Sequence, residues 1–210
     1  MTDKTRIRRL PERGVDDRIV IDAILDEGIV CHAAYVLGDR PVVIPTLYAR
    51  DGDRLLLHGS TSSGLAKAVR RASPLSVAIT LLDGIVIARS GFHSSANYRS
   101  AVIHGQGRLL DGEEKSRALD MIVEFLIPGR STDIRQPTEA ERRQTAIIEM
   151  DLTEVSAKVR TGGPKDDPED LGTGVWAGVV PLRTVAGDPV PAVDLEDGVQ
   201  VPGYLDPYLR

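Results

Sequence analysis

Ser60, Thr61, Ser62 and Ser63 stand directly before a segment, Gly64–Ala72, that carries Lys67, Arg70 and Arg71. Hydroxyls ahead of a helix start, unpaired backbone N–H groups at that start and a lysine one turn in are together the donors a phosphate needs. Arg99, beside Tyr98 in a later strand-like run, is a second candidate cation. The same residues also suit an ordinary serine cap with a solvated basic face, so the local pattern leaves both readings open. Pro45 carries a related signal, because it interrupts the strand-like run Val42–Arg50. A missing N–H breaks a ladder bond, so the position must be an edge, a bulge or a place where a ligand lies. A flat ring across that strand and an edge facing water satisfy the constraint equally.

Other chemistries find less support. His32, His58, His93 and His104 are scattered, with no HExxH and no close pair, so the pattern does not make a zinc site. Haem needs only one axial histidine and stays open. His58-Gly59-Ser60 and Ser90-Gly91-Phe92-His93 place serine near histidine, but there is no Gly-x-Ser-x-Gly elbow. Asp51 and Asp53 belong to a turn, and Glu113 and Glu114 to a helix start, so neither pair reads as an acid/base couple. No Walker A motif occurs, and Gly105-Gln106-Gly107 lies in a strand with no helix after it.

The elements that must hold these residues read as follows. Asp16-Asp17 caps a short helix with Ile19, Val20, Ala23 and Ile24 on one face, ending at Gly28. Strand-like runs Ile29–Leu37, Val42–Arg50 and Arg54–Gly59, joined by Gly38–Pro41 and Asp51-Gly52-Asp53, predict an antiparallel meander. A short helix over Gly64–Ala72 stops at Pro74. Leu75–Leu82 and Ile85–Arg89 flank Asp83-Gly84, a strong hairpin signal. Tyr98–Leu110 is a long strand in which Gly105 and Gly107 allow a bulge or a close approach. Asp111 caps an amphipathic helix to about Leu126, and Thr138-x-x-Glu141 opens a smaller one over Thr138–Thr145. A final strand pair covers Ala146–Leu152 and Val155–Arg160. Beyond Thr161 the chain turns irregular, with seven of its thirteen prolines between Pro164 and Pro207. Such a tail is ordered only by lying on something else.

At 210 residues and 41% hydrophobic content, one core of ordinary size is expected, divided into a barrel domain over 1–160 and an extended tail over 161–210. The net charge of −5 disfavours a general nucleic-acid binder. Cys31 is the single cysteine, which rules out an intrachain disulfide. The N-terminal stretch is basic without an apolar core, and no apolar run nears the roughly 20 residues of a membrane span, so a cytoplasmic location is expected. The fold class read from these elements is mainly β with α excursions, an antiparallel β-barrel.

The order of the Pro45 strand, Leu57-His58-Gly59-Ser60, Gly64-Leu65-Ala66-Lys67 and Asn97-Tyr98-Arg99-Ser100-Ala101-Val102-Ile103-His104-Gly105 resembles the pyridoxamine 5′-phosphate oxidase-like flavoproteins. Within them it is most similar to the flavin-nucleotide-binding branch that includes nitroimidazole-resistance proteins. The resemblance covers about Asp16 to Trp176 and implies a homodimer of six-stranded split barrels with FMN between the subunits. It implies that Val43, Ile44, Pro45, Thr46 and Leu47 run along the isoalloxazine. It places His58, Gly59, Ser60, Ser63 and Lys67 around the ribityl phosphate. Tyr98, Arg99, Ser100 and Ala101 then lie at the cofactor, on the same chain or the partner, and Trp176 either stacks near the flavin or pins the tail. Trp176-x-Gly178 with Arg183 resembles the C-terminal signature of the oxidase itself. Here the arginine is one residue further along, and Thr184 or Val185 replaces the following histidine, which argues against pyridoxamine-phosphate oxidation. The implied activity is a nitro-compound, quinone or flavin reductase passing hydride through FMN N5, with no catalytic side chain and no metal. A non-catalytic flavin-binding protein, and a haem- or F420-binding barrel, are the alternatives.

Overall fold

Alternating burial along the strands builds the barrel. Cys31, Ala33 and Tyr35 are buried while Val30, His32 and Val36 between them are exposed, as expected for a strand with one face on a core. In the computed structural model, which describes residues 5–208, the chain forms β1 (Gly14–Val15), α1 (Arg18–Glu27), β2 (Val30–Leu37), β3 (Arg40–Asp51), β4 (Arg54–Ser60), α2 (Gly64–Arg70) and β5 (Pro74–Ile87). It continues through β6 (Ser95–Gln106), β7 (Arg108–Leu109), α3 (Gly112–Leu126), α4 (Glu139–Gln144), β8 (Thr145–Asp151), β9 (Val155–Arg160) and β10 (Gly178–Pro181). The helix starts follow the capping residues read from sequence: Asp17 accepts from Ile19 N, Ser63 from Ala66 N, and Thr138 with Glu141 completes a capping box.

Antiparallel pairing runs β1-β9-β6-β5-β2-β3-β4-β8-β7, with β10 added on β5. Because β7 continues β6 past Gly107, the β8–β7 contact closes the circuit. The closed path is therefore β6/β7, β5, β2, β3, β4 and β8, the six strands of a split barrel, with β1, β9 and β10 as additions. A Cβ on Gly107 would lie 2.8 Å from Ile148 and 3.0 Å from both Leu75 and Val69, so closure needs glycine there. Inside lie Leu55, Leu57, Val77, Ile79, Ile103, Ile148 and Met150, with α1 and α2 as plugs. A second apolar cluster, Ala49, Leu56, Ile147, Ala118 and Ile122, seats α3 on the outside of β3, β4 and β8.

Two expectations are corrected. Asp83-Gly84 is not a hairpin turn but a bulge inside the continuous strand β5; the turn falls at residues 88–94. The Asp83 carboxylate is taken by Arg99 Nε and Nη2 at 3.0 and 2.7 Å, and Gly84 lies so close to β10 that a Cβ would meet Val180 O at 2.9 Å. One extra residue flips the alternation, so burial passes from Leu75, Val77 and Ile79 to Val86 and Ala88. The final strands β8 and β9 likewise do not pair with each other. β8 lies between β4 and β7, and β9 between β6 and β1, because residues 152–154 carry the chain from one half of the barrel to the other.

The tail is laid on the barrel at spaced points. Arg160, buried beside Asn97, donates to Gly162 O and Gly163 O; Arg89 pairs with Asp166 at 2.6 Å and His93 with Asp167 at 2.9 Å. Tyr204 folds over Gly129, and its hydroxyl accepts from Arg130 at 2.5 Å. Burial pushes the Cys31 thiol up to about 12, which leaves it an inert core residue. Among the described residues no helix is long and apolar enough to cross a membrane.

Candidate functional site

β3 belongs to two sheets, and the site lies where it changes partner. It pairs with β2 from Arg40 to Leu47, but with β4 only from Tyr48 to Asp51. Continuing the Tyr48↔Leu57 register would set Leu47 against His58; instead the strands part there, while β4 stays paired with β8 to Ser60. The result is a fork with Val43, Ile44, Pro45, Thr46 and Leu47 on one arm and His58, Gly59 and Ser60 on the other. Unpaired backbone groups line the inner edge of each arm, and Pro45 is tolerated because β3 has a partner on one side only here. Val43 and Pro45 point outward and are exposed; Ile44 turns inward onto the core.

His58 marks the fork chemically. Its Nδ1 is buried and has no hydrogen-bond partner, a state that costs about 1–3 kcal/mol when nothing fills it. Next to it the serine run is partly self-satisfied. The Ser60 hydroxyl contacts that of Ser62 at 2.9 Å, and Ser63 Oγ caps Ala66 N at 3.1 Å. Arg70 is drawn to Thr61 O at 2.8 Å. Lys67 stands exposed one turn along α2 and forms no ion pair among the described residues. It is therefore the cation left available to an anion at the fork.

The strand Tyr98–Ala101 splits by alternation. Tyr98 and Ser100 point to the outer face, whereas Ala101 is fully buried between Ile79 and Ala157 and offers a ligand no surface. Arg99 turns inward to the end of α1, where its guanidinium holds Glu27 and Asp83 together. These contacts keep Arg99 charged and push the Glu27 carboxyl below its ordinary range. Its charge is thus already matched. Trp176 is 63% exposed just before β10, which pairs at the Ile87 end of β5. That is on the order of 30 Å along β5 from Ala78, which lies next to the fork.

The outer face beside the fork holds residues that sequence reasoning had not grouped. Pro45, His32, Ala78 and Val102 form one row across β3, β2, β5 and β6; Val43, Ala34, Ser76 and His104 form the next. Small side chains between two histidines make a shallow tray. The His104 ring is fixed, since its Nδ1 lies 2.8 Å from Ser76 Oγ. In the tautomer whose Nδ1–H donates to the serine, Nε2 is left as the lone-pair nitrogen. The signal available in sequence was the outward phase of β5 and β6, which puts Ser76 and His104 opposite each other. No group of three or more His, Cys, Asp or Glu that could hold a metal ion occurs among the described residues. A cavity lined by Asp51, Arg54, Glu114, Arg117, Asp120 and Glu124 lies on the α3 side, away from both fork and tray.

The pyridoxamine 5′-phosphate oxidase family model matches residues 17–159. The flavocytochrome Anf3 from Azotobacter vinelandii is 34% identical, with 99% of this chain and 97% of that one covered and a TM-score of 0.93. A FAD and haem binding protein from Mycobacterium smegmatis is 35% identical over 93% of this chain and 97% of its own, with a TM-score of 0.90. A 5-nitroimidazole antibiotic resistance protein from Bacteroides thetaiotaomicron, at 21% identity, 70% and 86% coverage and a TM-score of 0.59, shares the fold. No curated protein sequence matches. With the match spanning the barrel from α1 to β9, and the barrel closed through six strands, the chain belongs to the pyridoxamine 5′-phosphate oxidase-like split-barrel family.

Proposed function

We propose that this protein is a dimeric redox protein that holds a flavin at the fork between β3 and β4 and a haem on the adjoining tray. The observation that carries the reading is His104, fixed through Nδ1 by Ser76 on a floor of small residues. A ligating histidine characteristically gives its other ring nitrogen to a neighbour in this way. The near full-length relatives support it, one being a flavocytochrome and the other a FAD and haem binding protein. The latter supports FAD as the flavin beside the FMN expected from the sequence.

The residues present fit both groups. The buried, unpartnered Nδ1 of half-buried His58 is a polar atom that a ligand at the fork could bond. The edge of β3 that lacks a partner between Val43 and Leu47 supplies backbone donors and acceptors from alternate residues for the rim of a flat heterocycle, and Pro45 leaves room by offering no N–H. Lys67 would neutralise phosphate. On the tray, His104 Nε2 would bind iron, while Ala34 and Ala78 leave space for a macrocycle. The exposed apolar residues Val30, Val36, Val43 and Leu82 on that face are suited to cover by a second copy, which would exclude water. When bound, a flavin supplies hydride and one-electron transfer, and a haem one-electron transfer. The activity proposed is electron transfer from a small reductant to an acceptor of the nitro-compound, quinone or flavin type.

The test is the absorption spectrum of the protein after reconstitution with FAD and haem and removal of excess. Retained flavin bands together with a Soret band are the expected result; a protein that retains neither overturns the reading. Lys67→Ala is expected to weaken FAD and FMN about 10- to 100-fold, the worth of one charge-assisted contact, while riboflavin changes less than about twofold. Equal weakening of all three by titration would remove Lys67 from the phosphate.

A further inference from the structure

The C-terminal tail leaves the barrel and returns to it, and what lies between stands exposed in the single chain. β10 is paired to β5 as far as Pro181, and Leu182 N still donates to Asp83 O at 3.0 Å. At the far end the 3-10 turn Gly203–Tyr208 is docked again, Tyr204 on Gly129 and the Tyr208 hydroxyl donating to Leu126 O. Every residue from Pro181 to Val201 is exposed. Between Leu182 and Leu195 no backbone amide donates to another described residue. Yet the segment is not the polar composition of a solvated linker, because Val185, Val190, Val193, Leu195, Val199 and Val201 are all exposed apolar side chains. Pro189 and Pro191 stiffen the middle, so the valines are presented on a semi-rigid arm fixed at both ends.

We infer that residues 182–202 form an arm that lies across a second copy of this chain. Three observations select that partner. The molecule has a second exposed apolar surface on the outer sheet face flanking the tray, with Val30, Val36 and Leu82, so arm and face are complementary within one sequence. Their charges also match. The arm carries Asp188, Asp194, Glu196 and Asp197 against Arg183 alone, a net −3. The face is edged near Val36 by exposed Arg40, which pairs with Leu37, and by the turn that carries exposed Arg71, whose Ser73 donates to Val36 O. Neither arginine is in an ion pair among the described residues, and Asp39 is the one exposed carboxylate beside them. Finally, the match to the A. vinelandii flavocytochrome covers 99% of this chain at a TM-score of 0.93, so the arm falls within the span the two chains share.

The inference rests on the proposed dimer and adds the element that clasps it. The test is the dimer dissociation constant of the full chain by light scattering across a dilution series, for wild type and for Val190→Asp/Val193→Asp. Both substituted side chains are exposed in the single chain, so an unchanged melting temperature of the dissociated protein is the folding control. The double substitution is expected to raise the dissociation constant at least tenfold. Amide exchange of residues 183–194 in wild type should be slowed in the dimer and released on dilution. A dimer of unchanged affinity whose arm amides exchange at unprotected rates overturns the arm while leaving the dimer intact. A wild-type protein that is monomeric at every concentration overturns both.

Discussion

Replacing His104 with alanine should strip the haem. His104 is the histidine of the outer face whose ring is already oriented, with Nδ1 against Ser76 Oγ at 2.8 Å and Nε2 left without a hydrogen-bond partner among the described residues. Removing it deletes the oriented ring nitrogen that the tray would offer to iron in the proposed complex, and the expected loss of haem affinity is at least about 100-fold, close to 3 kcal/mol. The Soret band of the reconstituted protein should disappear and return when imidazole is added, since the cavity left by the side chain admits it. Ser76→Ala should act more gently, about 10-fold, because it frees the ring rather than removing the ligand. His32 sits on the same face opposite Pro45, and its side chain makes no hydrogen bond among the described residues. If His32→Ala strips the haem and His104→Ala does not, the iron belongs to His32 and the Ser76 contact is structural.

The second large effect is on stability. Tyr48→Ala should destabilise the fold by about 3–5 kcal/mol, the usual range for emptying a large aromatic site, and lower the melting temperature by on the order of 10 °C. Tyr48 is fully buried at the residue where β3 exchanges β2 for β4. Its ring packs against Phe125 of α3 at 5.8 Å between centroids, and its hydroxyl donates to Leu25 O of α1 at 2.7 Å. One side chain therefore joins a helix inside the barrel, a helix outside it and the base of the fork. Tyr48→Phe keeps the packing and loses only the hydrogen bond, so about 1 kcal/mol is expected. Thermal unfolding of the two variants separates these terms. Equal shifts would mean that the hydroxyl, and not the ring, holds the fork.

How far the site could be read from sequence depended on what each residue's signal encodes. Pro45 reported an open strand edge because a missing donor is a covalent fact, and the edge is there. The serine run and Lys67 reported a helix start next to a free cation, since capping is decided within three or four residues. Arg99 was a candidate on the same grounds of charge, but Glu27 and Asp83, distant in sequence, reach it first. Ala101 was carried along with its neighbours, although strand alternation sends it into the core. Asp83-Gly84 has the composition of a hairpin turn and became a bulge, because Arg99 holds the aspartate and β10 lies against the glycine.

The sequence by itself determined the local elements and the family: helix caps, the strand meander, the glycine at the β6–β7 junction and the ordered motifs from α1 to Lys67 and His104. These depend on short-range sterics and on apolar periodicity, which a single strand or helix carries within itself. Only the tertiary structure decided where β3 parts from β4, that Ser76 and His104 meet on one face, and that the valines of the tail stand uncovered. Each of those is a relation between segments far apart in the chain. Register, pairing partner and coverage are settled by the packing of the whole barrel, and no local pattern records them.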